Sequence, residues 1–145
     1  MMHISAKGDY GLRAVLDLAL HEGKGPILRA DIAARQNIPE AYLVQLLNLL
    51  RKAGLVHSIR GPKGGHLLLK RPNELTVEEV LAALEGPVNL LGKSEDRKVV
   101  DEGADVLKDV WEAVETAVNE VLVSVTFADL CRKYQARQMP VTFRI

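Results

Sequence analysis

A mainly α fold with one small β-hairpin is what this 145-residue sequence predicts. Three observations carry that expectation. Apolar residues recur at helical spacing through most of the chain. One pair of Val/Ile/Leu-rich runs flanks a glycine-rich turn, Gly61-Pro62-Lys63-Gly64-Gly65. Aromatic residues are only 4% of the chain while Leu, Val and Ala are abundant, which favours helix over sheet.

The first element starts at Ser5, a good N-cap, and carries Leu12, Val15, Leu16, Ala19 and Leu20 on one expected face. Gly23-Lys24-Gly25-Pro26 stops it. Residues 29–36 form a short helix with Ile32 and Ala33 inward. Asn37-Ile38 reads as a tight turn, because Asn tolerates the left-handed region. Pro39 then suits the first position of a new helix running to Ala53. That helix buries Leu43, Leu46, Leu47 and Leu50 and shows Ala41, Gln45, Asn48 and Lys52 on the opposite face, with Val44 and Arg51 beside them. Gly54 ends it.

Two short helices joined by a tight turn fit both an ordinary helical hairpin and a helix-turn-helix. The next segment favours the second. Residues 55–60 and 66–70 read as two strands around the basic, glycine-rich tip, so a hairpin follows the helix pair directly, as in a winged helix. A nucleotide-binding loop fails on order, because such a loop ends in Gly-Lys-Ser/Thr and opens a helix. Thr76 and Glu79 suggest a capping box for a helix ending at Gly86-Pro87. From Val99 to Val125 the pattern is long: Val100, Leu107, Val114 and Val121 recur every seven residues. Val110, Ala117, Trp111, Val118 and Val125 widen the stripe. A helix that long must cover its apolar face, either on its own domain or on a second copy of the chain, and the length of the stripe favours the copy. A last short helix is expected from Thr126–Asp129 towards Arg137.

The net charge of zero is a cancellation. Residues 1–72 carry eleven Lys/Arg against five Asp/Glu, and residues 73–145 carry eight against fourteen. The front half therefore has a surplus of six positive charges, the electrostatic footprint of a polyanion partner. Cys131 is the single cysteine, which excludes an intrachain disulfide and an all-cysteine metal cage. No apolar run reaches membrane-span length and no signal pattern opens the chain, so a cytoplasmic protein is expected. The four histidines (His3, His21, His57, His66) are scattered, and no nucleophile–base or metal-ligand constellation suggests an enzyme.

Four stretches carry a more specific signal: residues 4–12 (Ile-Ser-Ala-Lys-Gly-Asp-Tyr-Gly-Leu), Ile38 with Tyr42 to Leu47, Leu50 to Gly61, and Gly64 to Leu68. Through them the chain resembles the Rrf-two family of bacterial winged-helix regulators, the IscR, NsrR and CymR group. The resemblance implies a homodimeric DNA-binding regulator, commonly a repressor, on a roughly palindromic double-stranded operator. Matched by position, the DNA-facing residues are Lys7, Ala41, Tyr42, Gln45, Arg51, Ser58, Arg60, Gly61, Lys63 and Gly64. Gln45 suits direct reading of adenine, Arg60 a minor groove, and Lys7 a phosphate. Tyr42 and Arg51 suit positioning on the backbone. The dimerisation set is Val100, Leu107, Val110, Trp111, Val114, Val118, Val121 and Val125. Position 44 is Val and position 41 is Ala, where members differ, so operator preference does not carry over.

Some members hold an iron–sulfur cluster through three cysteines before the long helix. Here residues 88–108 contain neither Cys nor His, so no cofactor is expected. The chain is thereby similar to the cluster-free, CymR type, which implies control of cysteine metabolism and a complex with cysteine synthase (O-acetylserine thiol-lyase). The apolar tail Phe143-Arg144-Ile145 is either a docking segment for that enzyme or packing for its own dimer. An adaptor of the same fold and a redox regulator using Cys131 are the alternatives. The expected organisation is a winged helix-turn-helix unit over 1–86, a linker over 87–98, the long and final helices over 99–137, and the tail over 138–145.

Overall fold

The structure, a computed structural model, describes residues 3–90 and 102–139. Among them the order is α1 (Ala6–Leu20), α2 (Arg29–Gln36), α3 (Glu40–Lys52), β1 (Val56–Ile59), β2 (Gly65–Leu68), α4 (Val77–Glu85), α5 (Glu102–Ser124) and α6 (Phe127–Gln138). The fold is the mainly α, winged helix-turn-helix arrangement that the sequence predicts.

Helix α1 is the central strut. Ser5 caps it, its Oγ accepting from the Gly8 amide at 3.1 Å. The expected face is only partly the buried one. Val15 and Ala19 are buried, Leu12 and Leu16 lie at the margin, and Gly8, Gly11, Ala14, Asp17 and Leu18 go deep. For Gly8 and Gly11 the reason is close packing against α4. A Cβ on Gly11 would sit 2.2 Å from Leu84 Cδ1, so glycine lets the two helices touch.

The helix-turn-helix follows its sequence closely. Ile32 and Ala33 of α2, and Leu43, Leu46, Leu47 and Leu50 of α3, are all buried. Asn37 takes the left-handed conformation (φ 53°, ψ 50°), as the turn requires. Pro39 differs by one position: with ψ 126° it is the N-cap of α3, its carbonyl accepting from the Leu43 amide, and the helix proper begins at Glu40. At the other end Gly54 (φ 76°) turns the chain into β1.

β1 and β2 pair antiparallel with Val56 opposite Leu68 and Ile59 opposite Gly65, shorter than the runs 55–60 and 66–70. Ile27 adds a bridge on the far side of β2, exchanging both backbone hydrogen bonds with His66 at 3.0 and 2.8 Å. The capping box expected at Thr76 is half formed. Thr76 accepts from the Glu79 amide, but the Glu79 carboxylate turns to Lys70 at 2.7 Å. Thr126 and Asp129 make the complete box, at the start of α6. Backbone bonds Val77–Val125 and Phe127–Leu75 tie that corner to the start of α4, and Phe127 is wholly buried in the same core as α1 to α3.

α5 spans 23 residues, about 35 Å. Its later part leans on the body: Val118 and Leu122 face Leu81, Pro87 and Val88, and the Glu115 carboxylate accepts from the Leu90 amide. Its earlier part stands clear, with Leu107 54% and Val110 48% exposed. The predicted start at Val99 and Val100 lies outside the described residues, as does the tail Phe143-Arg144-Ile145.

One buried charge sets the α1–α2 geometry. Asp17 is 1% exposed, and Arg35 donates to it twice, Nε to Oδ1 and Nη2 to Oδ2, both at 2.9 Å. Gln36 adds an amide donor at 3.3 Å. Arg13 donates to the Gln36 carbonyl at 2.9 Å, satisfying the end of α2. Arg35→Ala leaves the Asp17 carboxylate buried without its ion partner and is expected to cost about 3 kcal/mol in urea unfolding. The apolar pair Asp17→Leu with Arg35→Met should recover most of that loss. A single variant as stable as the parent would contradict the clamp.

Candidate nucleic-acid interface

The outer face of α3 is built by period alone. With Leu43, Leu46, Leu47 and Leu50 inward, Ala41, Gln45, Asn48 and Lys52 are left exposed, and Arg51 is exposed beside them. Gln45 therefore offers a free amide on the helix that follows the turn. Arg51 and Lys52 lie in the last turn of α3, where positive charge also suits the helix dipole.

Tyr42 is a different case. It is half-buried, and its ring packs edge-on against Tyr10 of α1 with centroids 5.8 Å apart. The Arg13 guanidinium lies 4.6 Å from the Tyr10 ring centre and reaches Asp9 at 3.2 Å. A cation over Tyr10, and Tyr10 against Tyr42, hold the first turns of α3 from behind. Tyr42 thus has a fixed place in the body before any ligand arrives.

At the wing, Arg60, Gly61 and Lys63 are exposed at the tip, whereas Gly64 and Ser58 have internal tasks. Gly64 is buried, and a Cβ there would lie 2.1 Å from the Ile59 carbonyl oxygen, so glycine is what closes the hairpin. Gly61, the other glycine expected to approach a partner, is exposed at the tip. Ser58 Oγ shares a hydrogen bond with His66 Nδ1 across the strands at 2.9 Å. Lys7, in the first turn of α1, is half-exposed.

Sequence reasoning missed Arg29. At the start of α2 it pairs with Glu40, the first residue of α3, at 3.3 Å, and it lies close enough to His66 to disfavour a second positive charge there. The starts of α2 and α3 and the strand β2 thus meet at one place. The available signal was Arg29 and Glu40 heading consecutive short helices, each with an exposed first turn.

Cys131 on α6 is half-buried against the core, and burial, followed by Glu22, pushes its thiol above the ordinary range. That is the opposite of a reactive thiolate. Among the described residues no three His, Cys, Asp or Glu side chains converge as metal ligands. Among them, too, no helix is long and apolar enough to cross a membrane.

Burial, followed by Arg29, holds the His66 imidazole below its ordinary value of 6.5. The unfolded ring therefore takes a proton before the folded one does. Stability linked to His66 is full above that ordinary value and is lost as pH falls through it. Between about pH 8 and about pH 5 the parent should lose more unfolding free energy than His66→Gln, which cannot titrate. Equal pH dependence of the two urea midpoints would contradict this.

Comparison with known proteins agrees with this geometry. Residues 4–133 match the family Rrf2, described as an iron-dependent transcriptional regulator. The chain is 38% identical to the HTH-type transcriptional regulator CymR of Bacillus subtilis (strain 168), over 99% of this chain and 100% of that one. It is 38% identical to the HTH-type transcriptional regulator IscR of Pectobacterium atrosepticum, over 89% of this chain and 79% of that one. Among solved structures it is similar to T. potens IscR, with a TM-score of 0.79 and 40% identity over 96% of this chain and 93% of that one. It is equally similar to CymR, the global cysteine regulator of B. subtilis, with a TM-score of 0.78 and 41% identity over 92% and 98%. The donor set does not fit an iron–sulfur cluster: the one cysteine sits on α6 against the core, and residues 88–108 hold no Cys or His. The chain belongs to the Rrf2 family of transcriptional regulators.

Proposed function

We propose that the protein is a homodimeric, sequence-specific DNA-binding repressor that works without an iron–sulfur cluster. The observation that carries this reading is the exposed polar face of α3, held from behind by α1 and followed directly by a wing whose tip exposes Arg60 and Lys63. Helices presented this way enter the major groove. In that arrangement Gln45 is the direct reader, Ala41 contributes apolar contact, and Tyr42 meets the backbone. Lys7, Arg51 and Lys63 neutralise phosphate, and Arg60 enters the minor groove.

The exposed stripe of α5 supports pairing of two chains. Leu107, Val110, Trp111 and Val121 are all more than a third exposed, while among the described residues the body meets the neighbouring flank through Val118 and Leu122. A second copy is the simplest cover for such a stripe. Val114, Val118 and Val125, which are half-buried, mark where the pairing face merges with the body.

The relative described as a global cysteine regulator supports a role in cysteine or sulfur metabolism. Under that reading the segment Phe143-Arg144-Ile145 docks on cysteine synthase, with its apolar side chains as the anchor. The raised Cys131 thiol disfavours a redox switch at that residue.

Gel shifts on enriched genomic fragments test the reading. Arg60→Ala should weaken specific binding by about 1–3 kcal/mol while leaving binding to random DNA nearly unchanged. Affinity should fall steeply with salt, and the retarded complex should contain two chains per operator. A flat salt response, or one chain per operator, would count against it. Separately, a chain lacking Phe143–Ile145 should no longer retain the host cysteine synthase on a column. Unchanged retention would remove that partner from the account.

A further inference from the structure

A polar cleft of about 380 Å³ lies between the C-terminal ends of α1 and α2 and the second half of α6. It is lined by Asp17, Leu20, His21, Arg35, Gln36, Tyr134 and Gln135, so it opens directly onto the buried clamp. The groups on its wall are already oriented. Arg35 uses Nε and Nη2 on Asp17, which leaves Nη1 as the donor for a visitor. Gln36 uses its amide nitrogen on the same carboxylate, which leaves Oε1 as an acceptor. His21 Nδ1–H donates to the Asp17 carbonyl at 2.7 Å, so in the neutral ring Nε2 is the free acceptor. Tyr134, 42% exposed, supplies a hydroxyl, and Leu20 an apolar wall.

The cleft therefore presents donors (Arg35 and Tyr134) together with acceptors (Gln36 and His21) around a space the size of a small metabolite. A carboxylate suits the donors, because guanidinium–carboxylate hydrogen bonds are among the strong ones. An ammonium suits the acceptors. We propose that this cleft binds a small zwitterion, an α-amino acid or a close derivative, as an effector. The bound molecule would bridge α6 to the last turn of α2, where Arg35 and Gln36 sit five and four residues before the start of α3 at Glu40. Binding there stiffens or shifts the clamp that aims α3, and by linkage DNA and effector change one another's affinity. The coupling rests on the DNA-binding reading; the binding site itself does not.

Calorimetry on the intact protein without DNA separates the two. Each standard L-amino acid is titrated, with succinate as a probe carrying carboxylates alone. The expected result is one site per chain for at least one amino acid, at an affinity well above that of succinate. Gln135→Glu, an exposed change on α6 that places a like charge beside the ligand carboxylate, should weaken it about tenfold or more. Gln138→Glu, on the same helix outside the cleft, should leave it unchanged. No binding by any amino acid, succinate binding as tightly, or equal affinity in the Gln135→Glu protein would overturn the proposal.

Discussion

A carboxylate buried to 1% exposure inside a helical core is the constraint on which the rest of this molecule rests. A polar group buried this deeply needs hydrogen-bond partners, and the side-chain donors to Asp17 come chiefly from α2, through Arg35 and Gln36. An ion pair of this kind adds little net stability over an apolar pair, but losing either partner is costly, so α1 and α2 are held where both are satisfied. From α2 the restraint passes onward. Arg13 holds the Gln36 carbonyl, Asn37 makes the single left-handed step, and α3 starts three residues later. Tyr10 against Tyr42 closes the loop from α1 back to α3. The outer face of α3 points where it does because four side-chain contacts converge on one short turn.

Local pattern made much of this legible. The apolar spacing of α3, the Asn at the turn, the glycine after Ala53 and the composition of the wing each depend on neighbours close in sequence, and each is found where expected. What escaped depends on distant partners. The buried face of α1 includes Gly8 and Gly11, whose value is the absence of a side chain, so apolar periodicity does not register them. Glu79 looked like a capping residue until Lys70 offered it a full charge. Ile27 joins the wing through one residue, too short for any periodic signal. At the interface, Ala41, Gln45 and Arg51 were legible as a helical face. The internal contacts of Ser58 and Gly64 were not, because they depend on a cross-strand histidine and a nearby carbonyl.

The division of charge acquires a physical sense in this arrangement. The basic surplus lies chiefly on the wing, with a smaller share on α2 and α3, while α5 carries acidic residues beside its apolar stripe. Zero net charge describes the whole chain in solution; the local surplus describes the surface offered to a polyanion. The cleft beside Arg35 sits on the same clamp that orients that surface. Recognition and its control would thus draw on one set of side chains rather than on two remote sites.

Hydroxyl-radical footprinting on a bound genomic fragment probes the central claim, that paired chains present two α3 helices and two wings to DNA in fixed register. The account predicts two protected major-groove patches about one helical turn apart, with minor-groove protection flanking them on the outer sides where the wing tips lie. A single patch, or uniform weak protection without sequence register, would contradict it.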